Sequence, residues 1–124
     1  MALFNTQSFN ITKQGLDALW LKQQVISQNI ANQNTPDYKQ KHVEFSGVLR
    51  EKLDANGDRI GKKRLEIQTT VIEEDFTNGQ PDGNNVDADQ QQLELARAQL
   101  QYEALINKIN GEFSNLRTAM RTSG

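Results

Sequence analysis

The sequence predicts a mainly α fold in which paired N- and C-terminal amphipathic helices of coiled-coil type are separated by a weakly ordered, partly β middle segment. Three observations carry this prediction. Apolar residues recur three and four apart near both ends of the chain, an Asn-rich stretch closed by Pro36 stops the first of these patterns, and the region between them loses helical periodicity. The implied layout is an N-terminal helix with a frayed start over 1–35, an irregular middle with room for a hairpin over 36–84, and a C-terminal helix over 85–124, together one structural unit.

In the first helix the seam runs through Phe9, Thr12, Leu16, Leu19, Gln23, Ile26 and Ile30, five of these seven positions being apolar. Leu21 and Val25 widen it on one side, while Lys13, Asp17, Lys22 and Gln24 keep the remainder polar, so one face requires a partner. Gly15 weakens the helix locally by up to about 1 kcal/mol relative to alanine. Trp20 sits beside the stripe and reads either as packing on the helix's broad face or as an aromatic anchor between subunits. Pro36 disfavours helical geometry at Thr35, and the preceding asparagines tolerate turn conformations, so the helix is expected to end between Asn32 and Thr35.

The middle segment is specified more loosely. Val43 to Leu53 is expected to form a short helical turn, and Leu65 to Val71 alternates as a half-exposed strand. Asn56-Gly57 and Asn78-Gly79 are turn dipeptides. A hairpin here needs packing against something else, because a two-stranded unit is marginal alone. Lys62-Lys63-Arg64 reads as a solvated loop, since Glu66 and the Glu73-Glu74-Asp75 run follow it.

The C-terminal helix repeats the design more strongly through Leu95, Gln99, Tyr102, Ile106, Ile109, Phe113, Leu116 and Met120, seven of the eight being apolar. Leu93, Ala96, Leu100 and Leu105 form a neighbouring stripe, wide enough for a second contact. Asp87 or Asp89 is placed to cap its start after the Pro81–Asn85 turn, where a negative charge also suits the helix dipole. Two helices cannot cover all of this apolar surface. Burying one Leu- or Phe-sized side chain is worth about 1.5–3 kcal/mol, so the sequence favours association. Candidate contacts are Leu16, Leu19, Ile26, Ile30, Leu100, Tyr102, Ile106, Ile109, Phe113 and Leu116.

Composition narrows the function. The chain has 124 residues, is 35% hydrophobic with a mean hydropathy of -0.74, and 26 residues are Asn or Gln. These amides alternate with apolar residues at helical spacing, which fits helix faces better than a low-complexity tract. A net charge of -2 lacks the concentrated positive surface of a nucleic-acid binder. No cysteine is present, excluding disulfides and thiolate chemistry. The first ten residues do not read as a cleavable signal, and no apolar run approaches a membrane span.

Catalytic and metal constellations also fail to form. Asp54-Ala55-Asn56-Gly57-Asp58 opens like a calcium loop, but Arg59, Gly61 and Leu65 stand where that loop needs Gly, an apolar residue and a bidentate Glu. His42 has no second imidazole with which to build a zinc site, and Ser27, Ser46 and Ser114 have no nucleophile elbow. Glu73, Glu74 and Asp75 are adjacent and do not read as an acid and base pair. The expectation is no enzyme, no cofactor and no metal.

One motif is specific. Asn29-Ile30-Ala31-Asn32, followed by Thr35-Pro36 and Tyr38, resembles in order and spacing the N-terminal signature of the rod, hook and related axial proteins of the bacterial flagellum. The family's usual glycine before the tyrosine is Asp37 here, which weakens the sequence signal for a positive-φ turn. The run Gly83-Asn84-Asn85-Val86-Asp87-Ala88-Asp89, with Gln99-Leu100-Gln101-Tyr102 and Phe113–Ala119, is similar to the C-terminal region of basal-body rod members of that family, so the resemblance covers both ends of the chain. It implies a structural subunit of the proximal rod in the periplasm, exported by the flagellar type III route without signal cleavage. It further implies a helical polymer that transmits torque, with other rod subunits, the export gate and membrane-ring components as partners, and neither nucleic-acid binding nor membrane insertion. A small helical export adaptor or chaperone, and a different rod protein, are the competing readings.

Overall fold

The computed structural model describes residues 6–50, 53–58, 61, 64–74 and 86–122, ordered as α1 (Thr6–Ala31), β1 (Lys41–Arg50), β2 (Arg64–Glu73) and α2 (Ala88–Thr122). The chain is mainly helical, with a small two-stranded antiparallel sheet between the long helices. The expected frayed start falls on residues 1–5, and the Asn78-Gly79 and Pro81–Asn85 turns fall on 75–85; both lie outside the described residues.

α1 and α2 lie side by side in opposite directions. Phe9 meets Phe113 edge to face with ring centroids 5.8 Å apart, Lys22 pairs with Glu94 at 3.7 Å, and Asn29 bonds Gln91 at 2.8 Å. The partner numbers fall as the α1 numbers rise, which defines the antiparallel pair. The core along this contact is Ala18, Leu19, Val25, Ile26 and Ala98, with Thr12, Asn29 and Gln91 buried among them. Thr12 satisfies its hydroxyl by donating to the Ser8 carbonyl at 2.9 Å, one turn back. Gly15 has a packing reason: a Cβ at this position would stand 3.2 Å from Leu105 Cδ1, so the missing side chain lets the helices approach.

α1 ends at Ala31, where the Asn-rich stop begins. The Asn32 amide still reaches the Gln28 and Asn29 carbonyls, its side chain donates to the Gln28 carbonyl at 2.8 Å, and Thr35 then folds back onto Asn32 through both backbone and hydroxyl. Asp37 keeps a positive φ of 61° despite not being glycine. Aspartate is among the few residues that tolerate this region, so the turn survives the replacement.

Val43 to Leu53 does not form the expected helical turn. Residues 43–50 belong to β1, paired with β2 from Lys41↔Glu73 to Arg50↔Arg64. Phe45, Leu49 and Leu53, spaced four apart, imitate a helix stripe. A period of two also runs through the segment, however, with Val43, Phe45 and Leu49 on one face of the strand and His42, Glu44 and Arg50 on the other. Pairing with Leu65, Ile67 and Val71 on the same face of β2, and packing of that face on α1, decides between the two periods. Arg64 likewise opens β2 instead of standing in a loop, while Lys62 and Lys63 lie outside the described residues.

Asn56-Gly57 is a turn as expected, with Gly57 at φ 85°. Asp54 Oδ1 accepts from both the Asn56 and Asp58 amides, each at 2.9 Å, so this one oxygen closes the turn. At the other end of the chain Asp87 caps α2, its carboxylate accepting from the Gln90 amide at 3.2 Å.

Candidate functional site: a hydrogen-bonded junction and an exposed helix face

Asn29 is the centre of the molecule's polar organisation. It is 0% exposed, the largest fully buried side chain among the described residues, and both ends of its amide are fully used. Its Oδ1 accepts from the Lys41 backbone amide at 2.9 Å and from the Tyr38 hydroxyl at 3.1 Å. Its Nδ2 donates to the Lys41 carbonyl at 2.6 Å and to Gln91 Oε1 at 2.8 Å. One side chain at the end of α1 thus holds the first residue of β1 and the first turns of α2 together. A primary amide suits this place because it offers two donors and two acceptor sites in one plane, matching the donor and acceptor of a peptide group.

Gln40 extends the junction. It is buried, its carbonyl accepts from the Glu74 amide at 2.8 Å, and its side chain donates to the Glu74 carboxylate at 3.2 Å. Its Oε1 in turn receives the Asp87 amide at 3.4 Å, just before α2 begins. The ends of α1 and β2 and the starts of β1 and α2 therefore converge on one hydrogen-bonded knot. Burial, then the nearby Glu73 carboxylate, push the Tyr38 hydroxyl above its ordinary pKa, against a smaller lowering from its hydrogen bond with Asn32. Beside the knot, His42 lies between Glu74 and Glu44, at 3.1 and 3.2 Å.

The motif residues divide between the inside and the surface of this junction. Asn29 is buried, Ile30, Asn32 and Tyr38 are half-buried, and Ala31, Thr35 and Pro36 are exposed on the turn. Among the candidate contacts, Leu19 and Ile26 are buried in the helix pair, and Leu16, Ile30, Tyr102, Ile106, Ile109 and Leu116 are half-buried along it. Leu100 is 68% exposed, and Phe113 remains partly exposed beside Phe9. Leu93, Leu100 and Met120 on α2 and Trp20 on α1 leave a discontinuous apolar surface on the terminal helices. Leu95 and Gln99 join Trp20, Gln23 and Ser27 in a shallow groove between the two helices.

Sequence reasoning missed Gln40, Gln91 and Ala98. A signal existed for Gln91, which lies one helical turn before Leu95 and so continues the predicted stripe. Its polarity hid it, because its burial makes sense only once Asn29 faces it. Ala98 lies one residue from Gln99, on the side of the stripe that faces α1. Among the described residues no helix is long and apolar enough to cross a membrane, and no three acidic or imidazole side chains converge as a metal site would require.

No family model matches the chain. The sequence is 34% identical over 126 aligned residues, spanning 97% of each protein, to the flagellar basal body rod protein FlgB of Bacillus subtilis. It is 28% identical over 129 residues, 98% of each, to the protein of the same name from Aeromonas hydrophila. To that of Borreliella burgdorferi it is 29% identical over 116 residues, 82% of this chain and 86% of the relative.

Proposed function

The chain belongs to the FlgB family of flagellar basal body rod proteins, and from that premise we propose that it is a subunit of the proximal rod that polymerises through its terminal helices. α1 and α2 act as a coiled-coil-type pair that packs laterally on the helices of neighbouring subunits. The observation that carries this reading is the apolar surface left after the helix pair and hairpin have packed: Leu93 is 59% exposed, Leu100 68% and Trp20 55%. Side chains of this size on a helix face gain about 1.5–3 kcal/mol each when an interface covers them.

In this reading the mechanism is mechanical. The subunit leaves the cytoplasm by the flagellar type III route without signal cleavage, and its terminal helices become fully ordered as they join the polymer. Leu16, Leu19, Ile26, Ile30, Tyr102, Ile106, Ile109 and Leu116 hold the helix pair, and Leu100 and Phe113 reach its neighbours. Other rod subunits, the export gate and membrane-ring components are the partners, and the assembled rod transmits torque in the periplasm. The buried knot at Asn29 supports this use, because it fixes the hairpin against the helix pair by directional bonds that resist shear.

Replacing Leu93 and Leu100 together with Glu tests the reading. The double variant should keep the parent's monomer circular dichroism and abolish motility and rod assembly, since two charges would be buried at each subunit contact. Normal motility in cells carrying only the double variant removes the lateral role of α2. A complex of fixed small stoichiometry with one export substrate, in place of a polymer, would instead mark an adaptor.

A further inference from the structure

Two exposed apolar pairs on α2 share one spacing. Leu93 and Leu100 stand seven residues apart near its start, and Phe113 and Met120 stand seven apart near its end, so each pair spans about 10 Å of helix. Met120 is 64% exposed, and Phe113, Leu116, Arg117, Met120 and Arg121 line a single groove of about 490 Å³. α1 begins at Thr6, three residues before Phe9, whereas α2 continues for nine residues past the contact of Phe9 with Phe113, and the groove lies along that run.

The two pairs face opposite ways. At about 3.6 residues per turn, the 20 positions from Leu93 to Phe113 rotate the face by about 200° beyond whole turns. The contacts agree with this count. Phe113 lies on the side of α1, as do the buried Gln91 and Ala98, while Leu93 and Leu100 lie on the far side. With the faces opposed, a single neighbouring helix cannot cover both pairs at once. A contact of one pair with the other is therefore head-to-tail, and each copy added leaves one pair at either end of the row to bind again, which is how an open helical filament grows.

Charge sets the direction of such a contact. Asp89 lies one turn before Leu93, and Arg121 follows Met120; both are exposed, and among the described residues neither has an ion-pair partner. With the two segments antiparallel, Met120 stands over Leu93 of a second copy and Phe113 over Leu100 of that copy, which brings Arg121 to the end that carries the second copy's Asp89. With the segments parallel, Arg117 stands level with the second copy's Arg97, like charge against like.

We propose that the last turns of α2 dock antiparallel on the first turns of α2 in a second copy, Phe113 and Met120 against Leu100 and Leu93, with Arg121 paired to Asp89. The contact rests on the rod-subunit reading for its setting, and it names the surfaces that adjoining copies share. Its geometry stands on spacing, face and charge within α2.

Because the chain has no cysteine, disulfide trapping reads the contact in the purified full chain. Leu93→Cys and Met120→Cys placed in one chain should give a ladder of covalent oligomers under mild oxidation, and each alone should stay monomeric. Arg121→Glu in that background should lower the yield about threefold, as for one exposed ion pair, and adding Asp89→Lys should restore it. Moving the second cysteine from Met120 to Phe113 should lose the ladder, since Phe113 faces Leu100 in the antiparallel contact. Absence of a ladder overturns the contact, as does an equal yield from the chain with Leu93→Cys and Phe113→Cys. Dimers from Leu93→Cys alone mean a two-fold contact and overturn it as well. Failure of Asp89→Lys to restore the yield removes the ion pair and with it the antiparallel direction. Trapping uses one purified protein, whereas the rod reading is tested in cells by the Leu93 and Leu100 variant, so either can fail without the other.

Discussion

The two ends of the helix pair are held by different physics. At one end Asn29, Tyr38, Gln91, Gln40 and Glu74 form a knot of directional hydrogen bonds in which a single buried amide makes four contacts. At the other, Phe9 leans on Phe113, and Leu116 and Met120 continue along α2 with apolar contact as the main resource. Hydrogen bonds fix geometry and lose much of their value when one partner is missing, whereas apolar contacts tolerate sliding and exchange of partners. A subunit that must hold its own shape and also trade contacts with neighbours has use for both. The knot sets where hairpin and helices stand, and the exposed apolar surface is what the proposed assembly would use.

The largest expected effect comes from breaking the knot. Asn29→Leu leaves the Lys41 amide and carbonyl, the Tyr38 hydroxyl and the Gln91 side chain without their partner, and should destabilise the chain by about 3–4 kcal/mol in urea unfolding. Asn29→Asp keeps the acceptor but places a carboxylate oxygen against the Lys41 carbonyl and Gln91 Oε1, and should cost nearly as much. If Asn29→Leu matches the parent's midpoint, the knot is not what orders this end.

Leu19→Ala provides the apolar counterpart. It should cost about 2–4 kcal/mol by removing buried apolar volume beside Ala18 and Leu105, with no change in the hairpin's hydrogen exchange beyond the general loss of stability. A selective opening of the hairpin in this variant would show that the two kinds of contact are not separable.

Tyr38→Phe sharpens the comparison at a smaller scale. It removes one hydrogen bond to Asn29 and should cost about 1 kcal/mol at neutral pH. Its alkaline behaviour is more diagnostic. The folded chain holds the Tyr38 proton more firmly than the unfolded chain does, so this contribution is fully present below the ordinary tyrosine pKa of 10.0 and is lost as pH rises above it through the folded value. Stability of the parent should therefore fall more steeply above pH ~10 than that of Tyr38→Phe. Parallel curves would place Tyr38 outside the buried network. The smallest effect is expected at Asp37→Gly, which relieves the positive φ and should change stability by less than about 1 kcal/mol, whereas Asp37→Val should destabilise more.

The parts of the fold that were legible in the sequence are those specified by neighbours along the chain. The stop at Asn32–Pro36 follows from proline sterics and asparagine turn chemistry, and the Asp87 cap from a side chain that reaches its own helix. The strand at 43–50 was not legible, because Phe45, Leu49 and Leu53 satisfy a helical period as well as a strand period; only β2 and the face of α1 decide between them. The motif marked Asn29 as important but not why. Its role depends on Lys41 and Gln91, 12 and 62 residues away, and no local pattern links them. Gln40 was hidden for the same reason, a polar residue whose burial is justified only by partners on other elements.

In the proposed rod, neighbouring subunits cover the face of α2 that the monomer leaves open, while the Asn29 knot keeps the hairpin in place. Electron cryomicroscopy of a purified basal body, at a resolution that shows side chains, tests this most directly. The predicted result is that Leu93 and Leu100 are buried against helices of adjacent subunits, with Asn29 still bonded to Lys41 and Gln91. A rod in which Leu93 and Leu100 face solvent, or in which the hairpin has left Asn29, would contradict it.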